Sequence, residues 1–167
     1  MKLKILAAAA VLVLVLVIGG TFVFTHKPMA PDVAFSTLQG QSFRTADLRG
    51  QVVLVNFWAT TCGVCIEEMP ALKAMQDKFQ ARGYRTIAVA MDYDPPARVG
   101  AFVGLNPLPF TFVLDRDGSI AHGFDDVRLT PTSFILNKRG EIVLKVLGEP
   151  DFDELHALID KLLAEPA

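Results

Sequence analysis

The sequence has few cysteines and no excess of positive charge. Its 167 residues include 2 cysteines, too few for a disulfide framework or a cysteine-rich zinc fold. Lys and Arg number 16 against 18 Asp and Glu, and no basic stripe is visible, which argues against a general nucleic-acid binder. The chain also has no low-complexity tract and no repeat with a period of about 20–50 residues, so a repeat architecture is excluded.

Charged side chains are missing from one long stretch, residues 5–24, which contains only apolar and small residues. As a helix rising about 1.5 Å per residue, this stretch would span roughly 30 Å, the thickness of a bilayer core. Lys2 and Lys4 precede it, and positive charge there favours a cytoplasmic N-terminus. The stretch is also longer than the usual signal-peptide core of about 7–15 residues. It therefore predicts a transmembrane signal anchor, with a cleaved signal peptide as the alternative.

Both alternatives deliver the rest of the chain to the far side of the membrane. In a Gram-negative bacterium this places the domain on the periplasmic, extracytoplasmic face of the inner membrane. Pro28 and Pro31 suggest a short stiff linker. The predicted organisation is a signal anchor over 1–25, a linker over 26–31 and a folded domain over 32–167.

Hydrophobic patterning in the domain alternates between strands and helices. Residues 51–59 form a Val-rich apolar run, which suits a central strand buried on both faces. Asp94 before two prolines favours a helix with an aspartate cap, and Asp151 with Glu154 resembles a capping box. Further strands are predicted over 86–91, 111–114, 132–136 and 141–147, helices over 62–81, 94–105 and 151–164, and a hairpin or short strands over 32–49. The pattern predicts an α/β domain with a mixed central sheet flanked by helices.

Both cysteines fall in one motif, Cys62-Gly63-Val64-Cys65, between the predicted strand 51–59 and the following helix. Free N–H groups and the helix dipole at a helix N-terminus favour an anion. They are expected to lower the pKa of the Cys62 thiol and so to increase the thiolate fraction that attacks disulfides. Cys65 lies nearly one turn deeper, where a resolving thiol can reach the Cys62 sulfur while shielded from solvent.

Several roles for the cysteine pair remain open from the residues alone. A structural disulfide closing so short a loop would contribute only ~2 kcal/mol. A zinc site needs about four ligands and would have to be shared between molecules, whereas a copper(I) carrier could use the two thiolates. Two inert buried thiols would not suit a strand-to-helix junction. Redox catalysis fits the position best, and it requires no metal and no cofactor beyond a redox-active Cys62–Cys65 disulfide.

A second motif supports the redox interpretation. Thr130-Pro131 lies far along the chain, with Pro131 69 residues after Cys62. With Phe57-Trp58 ahead of the cysteines, the chain from about residue 31 to 164 resembles the thioredoxin superfamily. The resemblance implies a thioredoxin-like fold and a cis peptide bond before Pro131. It also implies a substrate site in which Thr130 and Pro131 face the cysteines.

Within the superfamily, the chain is most similar to the membrane-anchored TlpA/ResA-like branch. Asn56 stands where thioredoxin carries a buried aspartate, and Glu-Met-Pro follows the cysteines as residues 68–70. The resemblance implies that Glu68 is the active-site glutamate, and its i, i+3, i+6 spacing with Cys62 and Cys65 supports this. A partly buried Glu68 would have a raised pKa and could relay a proton to or from Cys65. The alternative is a solvated glutamate on the helix face.

Four residues are candidates for substrate contact around the cysteines. Trp58 is expected to form a wall beside the thiols while it packs in the core. Thr61 and Val64 depart from the branch, which usually has tryptophan and proline at these positions, so neither client recognition nor a reduction potential is carried over from the branch. With Gly63 they complete the surface beside Cys62. His26, His122 and His156 are scattered through the sequence and are interpreted as structural or surface residues.

Three functions are compatible with these residues. The first is reduction of client protein disulfides, with electrons from a membrane thiol donor. The resemblance suggests haem-binding cysteines of apocytochrome c or thiols of a copper-site assembly protein as clients. The second is an oxidase that donates its disulfide, although such oxidases usually carry histidine between the cysteines. The third is a metallochaperone without catalysis. A monomer that binds no nucleic acid is expected in each case.

Overall fold

The computed structural model describes residues 27–166. A hairpin of β1 and β2 leads to a central sheet of β3 to β7, with four α-helices between and after the strands. The bounds are β1 Ala34–Ser36, β2 Ser42–Arg44, β3 Val52–Trp58, α1 Gly63–Phe79, β4 Tyr84–Ala90, α2 Pro96–Leu105, β5 Thr111–Leu114, α3 Ser119–Gly123, β6 Thr132–Leu136, β7 Ile142–Leu147 and α4 Phe152–Ala164.

The central sheet has the strand order β5-β4-β3-β6-β7. β4 pairs in parallel with β3 and with β5, whereas β6 is antiparallel to β3 and to β7. The mixed sheet predicted from the sequence is therefore confirmed, and so is the hairpin over 32–49. Because β3 lies in the middle, the loop that follows it is surrounded by the ends of neighbouring strands.

Every residue of β3 is buried, and alternate side chains serve two different cores. Val53, Val55 and Phe57 pack with the hairpin residue Phe35 on one face of the sheet. Leu54 packs on the opposite face, against hydrophobic residues of α1 and α4. The period of two thus explains why nearly all of β3 is apolar: both of its faces are covered.

The structure corrects one predicted helix start. Asp94 does not cap α2. The N-cap residue is Pro95, which provides no side-chain hydrogen bond to the helix. The Asp94 carboxylate instead accepts hydrogen bonds from Thr60. By contrast, Asp151 caps α4 as expected, accepting from the N–H groups of Asp153 and Glu154 at 2.9 and 3.0 Å.

Two helical segments lie next to turns: the end of α1 and the short helix α3. α1 ends at Phe79 and continues as a short 3-10 turn to Arg82, after which Gly83 adopts a left-handed conformation with φ of 94°. α3 was not predicted, because five residues are too few to show helical periodicity. Both positions lie at turns that lead back into the sheet.

Within residues 27–166, no helix is long and apolar enough to cross a membrane. The predicted anchor over residues 5–24 lies outside the described residues, as does His26. His122 is exposed and its Nδ1 lies 3.6 Å from the Asp126 carboxylate. His156 packs edge-on against the Phe79 ring, with 5.8 Å between ring centroids.

Candidate active site

Cys62 and Cys65 form a disulfide at the N-terminus of α1. Cys62 is the N-cap residue, and its sulfur accepts a hydrogen bond from the Cys65 N–H at 3.2 Å. A free N–H at the start of a helix therefore points at this sulfur, as the sequence predicted. Cys62 is half-buried, whereas Cys65 is 1 % exposed. Of the two cysteines, Cys62 is the more exposed.

The peptide bond between Thr130 and Pro131 is cis, as the resemblance implied. Pro131 is buried, and its carbonyl accepts a hydrogen bond from the Gly148 N–H at 2.8 Å. Thr132 at the start of β6 pairs with Phe57 near the end of β3. Because β3 and β6 are antiparallel, the start of β6 lies beside the end of β3. The Thr130-Pro131 segment, which precedes β6, and the segment that leads from β3 to Cys62 are therefore at the same end of the sheet.

Glu68 lies in the interior, on the side of α1 that faces β3. It is 1 % exposed, and Oε1 accepts a hydrogen bond from the Asn56 side-chain amide at 2.9 Å, while Oε2 has no hydrogen-bond partner among residues 27–166. Burial raises the pKa of Glu68 to about 7; the hydrogen bond from Asn56 opposes this shift, and the negative charge of Glu149 adds to it. The carboxyl therefore exchanges its proton near neutral pH, which a solvated helix-face glutamate would not do.

The Asn56 amide also donates to the Ser133 hydroxyl at 3.1 Å. Asn56 and Ser133 are directly paired residues of β3 and β6, so their side chains are neighbours on one face of the sheet. This network joins α1 to both strands that lead to the active site. The sequence identified Asn56 and Glu68 but not Ser133, which only the strand register reveals.

Trp58 has no exposed surface and packs against Phe102 and Phe112, with ring centroids 5.2 and 5.8 Å away. Cys65 belongs to the same buried cluster. The tryptophan thus lies behind the disulfide in the core. Its effect on substrate binding stays a prediction, and it would act through packing, since no face of the ring is open to a client.

Three small or medium residues form the surface next to Cys62. Thr61, Gly63 and Val64 are all exposed, and Val64 is 44 % exposed. A Cβ added at Gly63 would meet no atom of the described residues within 4 Å, so this position has room for a side chain. The structure therefore places all three where a client could touch them, and their role in binding stays a prediction.

Two further residues near the site were not identified from the sequence as site residues. The Tyr93 hydroxyl lies 3.4 Å from the Thr130 hydroxyl. Asp94 is 4 % exposed and bonded to Thr60. Both lie in the loop after β4, where the Asp-Pro-Pro sequence suggested only a helix start.

Comparison with known proteins agrees with this geometry. The family model described as Redoxin matches residues 25–159. The chain belongs to the Redoxin family. The thiol-disulfide oxidoreductase ResA of Bacillus cereus is 32 % identical to this redoxin over 133 residues, covering 80 % of this chain and 76 % of the relative. ResA of Geobacillus kaustophilus is 29 % identical over 167 residues, with 95 % of each chain covered.

A solved structure shows the same fold. A Chlorobium tepidum protein provisionally assigned as the thiol:disulfide interchange protein DsbE superposes with a TM-score of 0.76 at 30 % identity, covering 83 % of this chain and 97 % of that one. This redoxin is therefore a ResA-like thiol-disulfide oxidoreductase, and Cys62 and Cys65 form its disulfide. Among residues 27–166, no three His, Cys, Asp or Glu side chains come together in a group that could hold a metal ion.

Proposed function

We propose that this redoxin reduces disulfides of client proteins outside the cytoplasm, tethered to the membrane by residues 5–24. The observation that carries the proposal is the asymmetry of the cysteine pair: Cys62 is half-buried at the helix start, and Cys65 is 1 % exposed beneath it. This asymmetry supports Cys62 as the sulfur that attacks a client and Cys65 as the sulfur that resolves the mixed disulfide. The ResA relatives support a thiol-disulfide reaction.

The proposed reaction begins with the reduced dithiol. The Cys62 thiolate attacks one sulfur of the client disulfide, which forms a mixed disulfide and releases the other client sulfur as a thiolate. Cys65 then loses its proton and attacks the Cys62 sulfur, which releases the second client sulfur and leaves the Cys62–Cys65 disulfide. Two electrons pass from the dithiol to the client. Electrons for the next cycle would come from a thiol donor in the membrane.

Glu68 is proposed to accept the Cys65 proton during resolution. It lies three residues after Cys65 on α1, its carboxyl is buried, and its Oε2 has no hydrogen-bond partner in the part of the chain that the structure describes. A pKa of about 7 is well matched to proton transfer near neutral pH, because the group is a usable base and its conjugate acid is a usable donor.

Thr130 and Pro131 are proposed to bind the client next to the disulfide, together with Thr61, Gly63 and Val64. Two observations support this proposal. The Thr130-Pro131 segment lies at the same end of the sheet as the chain that leads to Cys62, and Thr61, Gly63 and Val64 are exposed. The proposed clients are the haem-binding cysteines of apocytochrome c or thiols of a copper-site assembly protein. A peptide with an oxidised Cys-x-x-Cys-His sequence tests the first, since Cys65→Ser would trap it as a mixed disulfide through Cys62.

The direction of electron flow is tested by the reduction potential of the Cys62–Cys65 pair in the full-length protein, equilibrated in dithiothreitol or glutathione buffers. A potential near or below roughly −270 mV supports a reductant, whereas a potential near roughly −120 mV would make the protein a disulfide donor. Stoichiometric copper(I) binding without exchange activity would instead identify a metallochaperone.

Membrane tethering is tested separately in cells. The full-length chain should sediment with membranes and resist alkaline extraction, and protease added to spheroplasts should degrade its domain. Deletion of residues 1–26 together with an added cleavable signal sequence should release the domain into the soluble periplasmic fraction. Protection of the domain in spheroplasts would contradict the extracytoplasmic location.

A further inference from the structure

The loop of residues 91–95, between β4 and α2, contacts both halves of the active site. The Asp94 carboxylate accepts two hydrogen bonds from Thr60, one from the backbone N–H at 2.5 Å and one from the hydroxyl at 2.8 Å. The hydroxyl of the preceding Tyr93 lies 3.4 Å from that of Thr130. Thr60 is two residues before the first cysteine, and Thr130 directly precedes the cis-proline.

The Asp94 carboxylate contacts the chain between β3 and α1, which is also held by the hydrogen bond from the Cys62 N–H to the Ala59 carbonyl at 3.0 Å. β3 ends at Trp58, and α1 begins only at Gly63. The N–H of Thr60 in between is satisfied by the Asp94 carboxylate, which is 4 % exposed. The N–H of Asp94 in turn donates to the Met91 carbonyl at 3.0 Å. The carboxylate is thus held in place by its own loop and holds the loop that carries the cysteines.

We infer that Asp94 is a positioning residue for thiol-disulfide exchange. By fixing Thr60, it keeps the Cys62 sulfur at the start of α1, where the Cys65 N–H donates to it at 3.2 Å. That N–H stabilises the attacking thiolate. The loop of residues 91–95 therefore sets the reactivity of Cys62 through Thr60, and this is the role of the Asp94 carboxylate, which does not cap α2.

The negative charge of Asp94 raises the pKa of Cys62, whereas its positioning of Thr60 lowers this pKa. Variants of Asp94 can therefore separate the two effects. If only the negative charge mattered, both Asp94→Ala and Asp94→Asn would lower the pKa of Cys62, because a nearby anion disfavours a thiolate. If position matters, Asp94→Ala raises this pKa, because the helix N–H is no longer aligned with the sulfur. Asp94→Asn then stays near the wild-type value, since its amide oxygen still accepts from the Thr60 N–H and its NH₂ can donate to the Thr60 hydroxyl.

The experiment uses the full-length reduced protein well below its thermal midpoint. The pKa of Cys62 is read from the pH dependence of iodoacetamide alkylation, and the exchange rate from reduction of insulin with dithiothreitol as electron source. We expect Asp94→Ala to raise the pKa and to slow exchange by about tenfold to a hundredfold, a range typical of displaced catalytic groups. Asp94→Asn should keep both the Cys62 pKa and the exchange rate close to the wild-type values. Asp92→Asn is the matched control, because Asp92 is an exposed acid of the same loop.

Thr60→Val keeps the test decisive if Asp94→Ala does not fold. It removes the hydroxyl hydrogen bond but keeps the backbone one, so a smaller change in the same direction is expected, with Thr60→Ser as the conservative variant. Equal alkylation profiles and insulin rates in the wild type, in a folded Asp94→Ala and in Thr60→Val would overturn the inference. A lowered Cys62 pKa in both Asp94 variants would overturn it in favour of a charge effect.

Discussion

The side-chain amide of Asn56 on β3 donates a hydrogen bond to Oε1 of Glu68 on α1 at 2.9 Å. This is the polar contact that holds a carboxyl of 1 % exposure between the helix and the sheet. Because the donor is a neutral amide, it provides no positive charge to offset the burial of a carboxylate. The pair therefore keeps Glu68 in place while its pKa rises to about 7.

Glu68 should make the stability of the oxidised protein depend on pH. Its folded-state pKa of about 7 lies above the ordinary value of 4.5, so the folded protein retains a proton that the unfolded chain has released. The free energy of unfolding should therefore fall as pH rises from about 4.5 to about 7, by at most about 3 kcal/mol. Urea unfolding at pH 5 and pH 8 should show this loss in the wild type and much less of it in Glu68→Gln. Glu67→Gln, at the neighbouring exposed position, should behave as the wild type does.

The same titration should appear in the rate of resolution. If Glu68 accepts the Cys65 proton, release of a thiol from a Cys62 mixed disulfide speeds up as pH rises through about 7, because the carboxylate form becomes populated. Glu68→Gln should remove this limb of the profile and lower the rate above pH 7. Stopped-flow measurement with a mixed disulfide of thionitrobenzoate gives the rate directly. An identical pH profile in both proteins would reject the proton-transfer role.

Removal of the Asn56 amide should move the Glu68 titration upward. The hydrogen bond from Asn56 lowers the pKa of Glu68 against the effect of burial, so Asn56→Leu should shift the titration to higher pH. It should also cost about 1–3 kcal/mol of stability, because a buried polar group loses its partner. Ser133→Ala removes only the second contact of the amide, and its effect on the Glu68 titration should be smaller. The carboxyl chemical shift of Glu68, followed by NMR, measures the midpoint.

Much of the fold follows from the sequence, since the features concerned are local. The bounds 111–114 and 132–136 match β5 and β6, because short apolar runs between turn residues leave few alternatives. The cysteine pair at a helix start also follows from a strand run that ends in a helix-forming segment. Asp94 was misassigned because the local Asp-Pro-Pro pattern contains no information on Thr60, 34 residues earlier. Ser133 was missed because its position opposite Asn56 depends on the register between β3 and β6.

A histidine between the cysteines should convert this redoxin to a more oxidising protein. Gly63 is exposed at the start of α1, and a Cβ there would meet no atom of residues 27–166 within 4 Å, so Gly63→His should fold normally. An imidazolium beside Cys62 stabilises the thiolate and hence the reduced form. The Cys62 pKa should fall and the reduction potential should rise, by about 30 mV for each tenfold gain in the equilibrium constant. Gly63→Ala controls for the added Cβ alone and should leave the potential near the wild-type value. An unchanged potential in Gly63→His, measured in dithiothreitol or glutathione buffers at pH 7, would mean that this position does not set the redox poise.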